Sequence, residues 1–358
     1  MTIRTLGYAA MGTLLLAAAH SVDAAKVTLV LGQTTAAANE AFNVFTPLRM
    51  GYFKEEGIEL EYQTSQGGTQ AMQLVSAGQA DVGLSSVPGV ILAREKGIPA
   101  VAVYDYLPGH STALATLRDG PIKQASDLKG KKIGVISMAS TRTFDGKAMV
   151  RAAGLDPDKD VEWLPVGFGA QAAAALTRGD VAALALWDAT YVDIQNEGVN
   201  LKFFTFPFQK ELIGFVYFTT DPQFKQRRDD LIKFFRATTK GIVFATANPE
   251  AATCAYLEET KGLEQSRDRK KTFQNALNVV KNNVENATRP TGVQLWGSWA
   301  KDAWATNEKY YKELGVVKGG VAPNQFFVAD EAFYKAINDF DADKVRKQAR
   351  EYKCSLAL

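Results

Sequence analysis

With 358 residues, 46% of them hydrophobic and 22% charged, the chain has the apolar material for a core and the length of about two domains, which argues against disorder. Its 41 basic and 39 acidic side chains are mixed along the chain, leave a net charge of +2 and form no long basic run, so nucleic acid is a poor candidate partner. Two histidines, His20 and His110, leave no multi-histidine zinc site. A G-x-S-x-G elbow, H-E-x-x-H, a P-loop and a strand-linked G-x-G-x-x-G are all missing, so no catalytic residue, metal or cofactor is expected.

In chain order, Arg4 is the only charge before an apolar run over residues 6–19, and Val22-Asp23-Ala24 supplies small residues for cleavage. This predicts a secretory signal peptide over residues 1–24, too short to span a membrane and carrying His20 away with it. Both cysteines, Cys254 and Cys354, lie far from that site, so no thiol is there to acylate and a free periplasmic monomer is expected. In an oxidising compartment the two cysteines suit one disulfide, with two free buried thiols as the alternative.

Residues 26–31 read as a first strand followed by the polar loop Gln33-Thr34-Thr35. Thr46-Pro47 looks like a helix start, and residues 58–62 alternate as a half-exposed strand should. Next comes Gly68-Thr69-Gln70-Ala71, running to Gly78, and then a strand over 80–84. The same pattern returns 101 positions later as Gly169-Ala170-Gln171-Ala172 running to Gly179, with a strand over 181–186. A repeat seen twice at this spacing predicts two similar lobes facing a cleft.

Between the repeats, Ser85-Ser86 precede a helix over 88–96, a strand fills 98–106, and 113–117 is a strand leaving the first lobe. The second lobe opens at a turn over 126–130, a strand over 131–136, a loop over 137–141 and a helix over 142–153. Residues 161–166 add a strand, and 211–219 return the chain to the first lobe. Strands alternating with helices imply parallel sheets. The remainder reads as helical: Leu231, Phe234, Phe235 and Thr238 share one face, Asn248-Pro249 starts a helix, and Trp296, Trp299 and Ala300 are packing residues on another. The expected layout is a first lobe over 25–117, a second over 118–213, and a return with bracing C-terminal helices over 214–358.

The segment Gly51-Tyr52-Phe53-Lys54-Glu55-Glu56-Gly57-Ile58 resembles the signature of periplasmic solute-binding proteins of the sulfonate, nitrate, taurine and thiamine-pyrimidine group. The stretch from Gly78 to Asp81, Asp127-Leu128-Lys129-Gly130-Lys131-Lys132-Ile133-Gly134-Val135, Gly154-Leu155-Asp156-Pro157 and the second glycine-ended helix follow in the family's order. The resemblance covers essentially the whole mature chain. It implies an α/β, type II bilobal fold joined by two hinge strands, a small solute trapped between the lobes, and handover to the permease of an inner-membrane ABC importer. The family also includes a pyrimidine synthase that has a cysteine-rich motif and consumes its own histidine with pyridoxal phosphate; this chain has no cysteine cluster and one eligible histidine. A ligand-sensing module for a receptor is a further alternative.

Ligands of open α/β sheets lie beyond the carboxyl ends of strands, where helix N-termini point. From the first lobe this selects Thr34, Thr35, Gly68, Thr69, Gln70, Ser85 and Ser86, with His110 near the hinge. From the second it selects Ser140, Thr141 and Arg142 for an anionic oxygen group, and Phe168, Gln171, Trp187 and Asp188 around a planar solute. Each has a structural alternative: Ser85-Ser86, Ser140-Thr141 and Asp188 fit helix caps, Arg142 a solvated arginine and His110 an ordinary loop residue.

Overall fold

The computed structural model describes residues 24–109, 112–206, 209, 211–264, 266–288 and 292–358. The expected signal peptide, apart from Ala24, and the candidate His110 lie outside them. Strand β1 (Ala25–Val30) is apolar at its buried positions, Val27, Leu29 and Val30, and pairs in parallel with β2 (Ile58–Gln63) from Ala25↔Ile58 to Val30↔Gln63. Strand β3 (Val82–Ser86), buried throughout, meets β1 only at Leu29↔Val82 and Val30↔Gly83 before the two part. Strands β4 (Ala100–Leu107) and β5 (Thr112–Leu117) follow. In the second lobe β6 (Lys131–Val135) pairs with β7 (Val161–Pro165) and meets β8 (Ala183–Trp187) only at Ile133↔Ala183 and Gly134↔Leu184. Thus the repeat is structural: each lobe opens a crevice where two parallel strands diverge.

The sheets are mixed rather than parallel. With β9 (Leu201–Phe204) and β10 (Phe215–Thr220), the orders are β2-β1-β3-β10-β4 and β7-β6-β8-β5-β9. Strand β10 runs antiparallel to β3 and β4, and β5 antiparallel to β8 and β9. A strand arriving from the other lobe enters at the carboxyl ends of the parallel strands and must run against them. Hence residues 113–117 do not leave the first lobe from within its sheet; they already belong to the second, and the first crossing lies between Leu107 and Thr112. The strand at 215–220 returns the chain as expected. The crossings run side by side: Gly214 donates its N–H to the Leu107 carbonyl at 3.1 Å, and a Cβ there would lie 2.2 Å from the Gly109 carbonyl oxygen.

The repeat helices are Gly68–Ser76 and Ala170–Thr177, closed by Gly78 and Gly179 in left-handed conformation at φ 70° and 78°. The helix expected at Thr46-Pro47 starts earlier, as a 3₁₀ turn (Ala38–Glu40) and a π turn (Ala41–Phe45) leading into Thr46–Arg49. All five residues of that π turn are buried, so no polar face betrays its period. The helix Arg228–Ala247 packs on the first sheet, where Phe235 stacks on Tyr104 at 5.1 Å and meets Tyr217 edge-on at 5.3 Å. Asn248 caps the next helix, Pro249–Glu259, by accepting the Ala251 N–H at 3.1 Å. Cys254 on that helix is disulfide-bonded to Cys354. The tryptophan segment is irregular rather than helical, yet Trp299 packs as expected, donating Nε1–H to the Tyr334 hydroxyl at 2.6 Å. Among the described residues, no helix is long and apolar enough to cross a membrane.

Candidate functional site: the cleft between the lobes

The strand tips bring the lobes into direct contact. Thr69 donates its N–H to the Ala139 carbonyl at 3.0 Å, and the Ser137 hydroxyl donates to the Gln66 carbonyl at 2.5 Å. Thr141 is inserted as a peg: its Oγ1 accepts the Ser86 N–H, and its carbonyl accepts the Ser86 hydroxyl, each at 3.2 Å. The socket around it is glycine. A Cβ on Gly68 would lie 2.6 Å from Thr141 Oγ1, and one on Gly89 2.7 Å from its Cγ2. At the sides of the cleft the C-terminal helices reach the second lobe, through Tyr311 to Asp145 at 2.5 Å, Arg151 to the Leu314 carbonyl at 2.8 Å, and Asn286 to Asp188 at 3.1 Å.

Behind the peg is a cavity of about 30 Å³, lined by Gly32, Gln33, Asn39, Glu40, Gly68, Leu84, Tyr106, Leu107, Ser140, Thr141, Arg142, Trp187, Phe215 and Asn283. That volume holds little more than a water or two, so an organic solute requires the lobes further apart. Arg142 is the first residue of the helix Arg142–Ala152 and is only 4% exposed. Its Nη1 donates to Thr112 Oγ1 at 2.9 Å, and the guanidinium lies 4.3 Å from the centre of the Phe215 ring and 5.8 Å from that of Trp187. Its Nε has no hydrogen-bond partner, and among the described residues no carboxylate stands within ion-pairing distance. Burial pulls its pKa down while Asp145 and Asp188 push back, and a guanidinium stays charged in either case.

The carboxyl group in the wall is Glu40, 3% exposed. Its Oε2 accepts from the Ala37 N–H at 2.9 Å and from Gln33 Nε2 at 3.1 Å, and its Oε1 from Asn39 Nδ2 at 2.7 Å. Burial outweighs these bonds and pushes the carboxyl up to about 8. Below that pH Arg142 alone sets the charge of the cavity. Tyr106 and Asn283 hold the same loop by donating to the Asn39 carbonyl at 2.9 and 3.1 Å.

Of the residues selected from sequence, Gly68, Ser140, Thr141, Arg142 and Trp187 come together on the cavity wall. Ser85 and Ser86 are fully buried one layer behind; Ser86 occupies a cap position, but its hydroxyl makes no cap bond and holds Thr141 instead. Thr34 and Thr35 are exposed, and the cavity residue of their loop is Gln33. Thr69 is also exposed, and Gln70 accepts the Gln66 N–H at 2.6 Å. Phe168 packs against the core of the second lobe, Gln171 is exposed, and both lie off the cavity. Asp188 is likewise outside it, bonded across the lobes to Asn286. The amides entering the helix at Arg142 are largely used by their own chain: Ser140 Oγ accepts the Arg142 N–H at 3.3 Å and the Ser140 carbonyl the Thr143 N–H at 3.2 Å. The guanidinium, not the helix end, is therefore the available anion donor.

Sequence reasoning missed Asn39, Glu40, Tyr106, Phe215 and Asn283. The polar pair Asn39-Glu40 ahead of an apolar run was a usable signal; Asn283, on the helix Arg269–Ala287, gave none.

Residues 39–252 match the NMT1/THI5 like family model. The chain belongs to the NMT1/THI5-like family. The formylaminopyrimidine-binding protein of Halalkalibacterium halodurans is 26% identical over 265 residues, covering 72% of this chain and 77% of that protein. The 4-amino-5-hydroxymethyl-2-methylpyrimidine phosphate synthase of Aspergillus parasiticus is 23% identical over 288 residues, 76% of this chain and 79% of the synthase. A solved protein of Bordetella bronchiseptica RB50 superposes with a TM-score of 0.67 at 19% identity, covering 87% of this chain and 96% of that one. The periplasmic aliphatic sulphonate binding protein SsuA of Escherichia coli gives 0.57 at 17% identity, with 84% and 91% covered. The NMT1/THI5-like chain thus has the periplasmic-binding-protein fold that its Gly51-to-Ile58 signature implied.

Proposed function

We propose that this chain is the periplasmic solute-binding component of an ABC import system, closing its two lobes on a small organic solute and presenting the closed form to an inner-membrane permease. The observation that carries the reading is Arg142, a cation in the wall of the interlobe cavity with an unpartnered Nε. A buried charge is costly until a counter-ion completes it. A sulfonate or carboxylate does so, and Trp187 and Phe215 offer faces to the rest of the molecule. A planar heteroaromatic is the second solute class, supported by the amides of Asn39 and Asn283 in the same wall and by the formylaminopyrimidine-binding relative.

Binding works through differential affinity: contacts from both lobes form only in the closed arrangement, so solute shifts the population toward it. A micromolar affinity needs about 8 kcal/mol, within reach of a few charge-assisted bonds and one aromatic stack. A thermal-shift panel of sulfonates, carboxylates, nitrate, pyrimidines, flavins and aromatic acids identifies the solute, and its uptake is then measured in a deletion strain. Lost uptake supports import; intact uptake with a lost signalling response moves the reading to a sensor. Synthase chemistry is the second reading, prompted by the Aspergillus relative. It is disfavoured because both cysteines are joined in the disulfide, and turnover of the bound solute, followed by mass spectrometry, decides it.

A further inference from the structure

A second cavity, of about 490 Å³, shares Tyr106 with the Arg142 cavity but is built from other elements: the end of β4, the end of the helix Arg269–Ala287, and the irregular segment after Gly292. Asp105 and Tyr106 are successive strand residues, and regular alternation would send them to opposite faces. Register shifts at Phe215/Val216 and Tyr217/Phe218 flank the Asp105 position, and both residues line this cavity. Asp105 Oδ1 is shielded from solvent and has no hydrogen-bond partner. Among the described residues no lysine or arginine ion-pairs with it. Burial accordingly pushes this carboxyl well above the usual carboxylate range, with no charged neighbour to offset it.

The opposite wall is held rigidly. Gly297 accepts the Asp105 N–H through its carbonyl at 2.8 Å; it has φ 79°, and a Cβ there would lie 2.3 Å from the Tyr104 ring. Asn338 fixes Trp296 twice, accepting its N–H at 3.0 Å and donating to its carbonyl at 3.1 Å. Trp296 and Tyr106 give the cavity aromatic walls, and Ile242, Ala287 and Leu295 apolar ones.

We propose that this cavity is a second ligand site, separate from the Arg142 cleft, that takes a small organic cation, with an ammonium or amidinium N–H on the Asp105 carboxylate and an apolar body against Trp296. A carboxylate oxygen shielded from water and without a partner is an unusual cost in a folded protein, and an N–H cation removes it. Aromatic walls add attraction for the same charge, and the volume lies in the range of small-molecule pockets.

The test uses the mature chain and benzamidine, with neutral benzamide as its near-isostere, followed by calorimetry and tryptophan fluorescence. Benzamidine is expected to bind at least about tenfold more tightly than benzamide, the difference of one charge-assisted contact. Asp105→Asn, which keeps the side-chain shape, is expected to bring benzamidine down to the benzamide level, and Trp296→Ala to weaken it several-fold. Arg142→Ala is expected to leave it unchanged. Equal binding of the two probes, no benzamidine binding up to about 10 mM, or full binding to folded Asp105→Asn overturns the proposal. Loss of binding in Arg142→Ala overturns it too, by placing the cation in the interlobe cleft. The benzamide comparison needs no variant and decides the matter even if Asp105→Asn does not fold.

Discussion

Gly68→Ala tests whether the two lobes must meet at the Thr141 peg. Gly68 is not at positive φ, so an alanine there suits its own backbone, and the effect falls on the neighbour across the cleft. The added Cβ would stand 2.6 Å from Thr141 Oγ1 and 2.8 Å from Cγ2, where ordinary contact begins at 3.4 Å, so the walls must part by about 0.6–0.8 Å. Thr141 cannot turn aside easily, because its Oγ1 is bonded to the Ser86 N–H and its methyl group packs toward Gly89. Parting the tips stretches four hydrogen bonds of 2.5–3.2 Å: the two between Ser86 and Thr141, Thr69 to Ala139, and Ser137 to Gln66. At about 0.5–1.5 kcal/mol each, closure should weaken by about 2–6 kcal/mol. That corresponds to a ratio of this closed arrangement to the open one lowered by about 30-fold or more in the solute-free protein. Small-angle scattering of the solute-free protein reads the lobe separation directly, and the melting temperature controls for folding. A scattering profile matching that of the unmodified protein would refute the peg-and-socket account.

Once a solute is in hand, Arg142→Ala is expected to cost about 2–5 kcal/mol of binding if the solute is anionic, with Arg142→Lys intermediate; calorimetry showing unchanged affinity would remove the anion site from this cleft. Glu40 gives a pH dependence of defined sign. Its carboxyl rises from 4.5 to about 8 on folding, so its contribution is full below about pH 4.5 and is lost as the pH climbs through about 8. The rise of about 3.5 pH units, at about 1.36 kcal/mol each, caps that loss at about 5 kcal/mol, and Glu40→Gln should flatten the stability curve across this window. Urea titrations at a series of pH values check it, and identical slopes for both proteins would count against it. Cys354→Ser removes a link spanning 100 positions and should cost about 2–5 kcal/mol under oxidising conditions. The reduced unmodified protein should then unfold at the same denaturant midpoint as the variant, and equal midpoints for the two proteins under oxidising conditions would contradict the expectation.

Much of the framework was legible along the chain. The glycine-ended helices at Gly78 and Gly179 and the strands after them were visible because each is a local pattern of apolar period and left-handed stop. For the same reason Arg142, Thr141 and Trp187 could be placed at strand and helix ends before any contact was known. What misled was pairing. Residues 112–117 look like any buried strand, and nothing in their composition says that they lie between β8 and β9 of the second sheet. Likewise Thr34 and Thr35 are selected from the sequence as cleft residues, but the early 3₁₀ and π turns bring Gln33, Asn39 and Glu40 to the cavity and leave the threonines exposed.

By itself, then, the sequence determined the two-lobed α/β plan and which ends of which elements face the cleft, since those follow from short-range periodicity and turn chemistry. Only the tertiary structure decided which strand joins which sheet, why Gly68 must be glycine, and which side chains surround Arg142. Those properties arise from groups distant in the chain: Thr112 meets Arg142, and Phe215 and Asn283 line the cavity, only because the crossing strands and a C-terminal helix fold back over it. Burial, the quantity that lifts Glu40 and leaves Asp105 without a partner, exists only once those distant segments have packed.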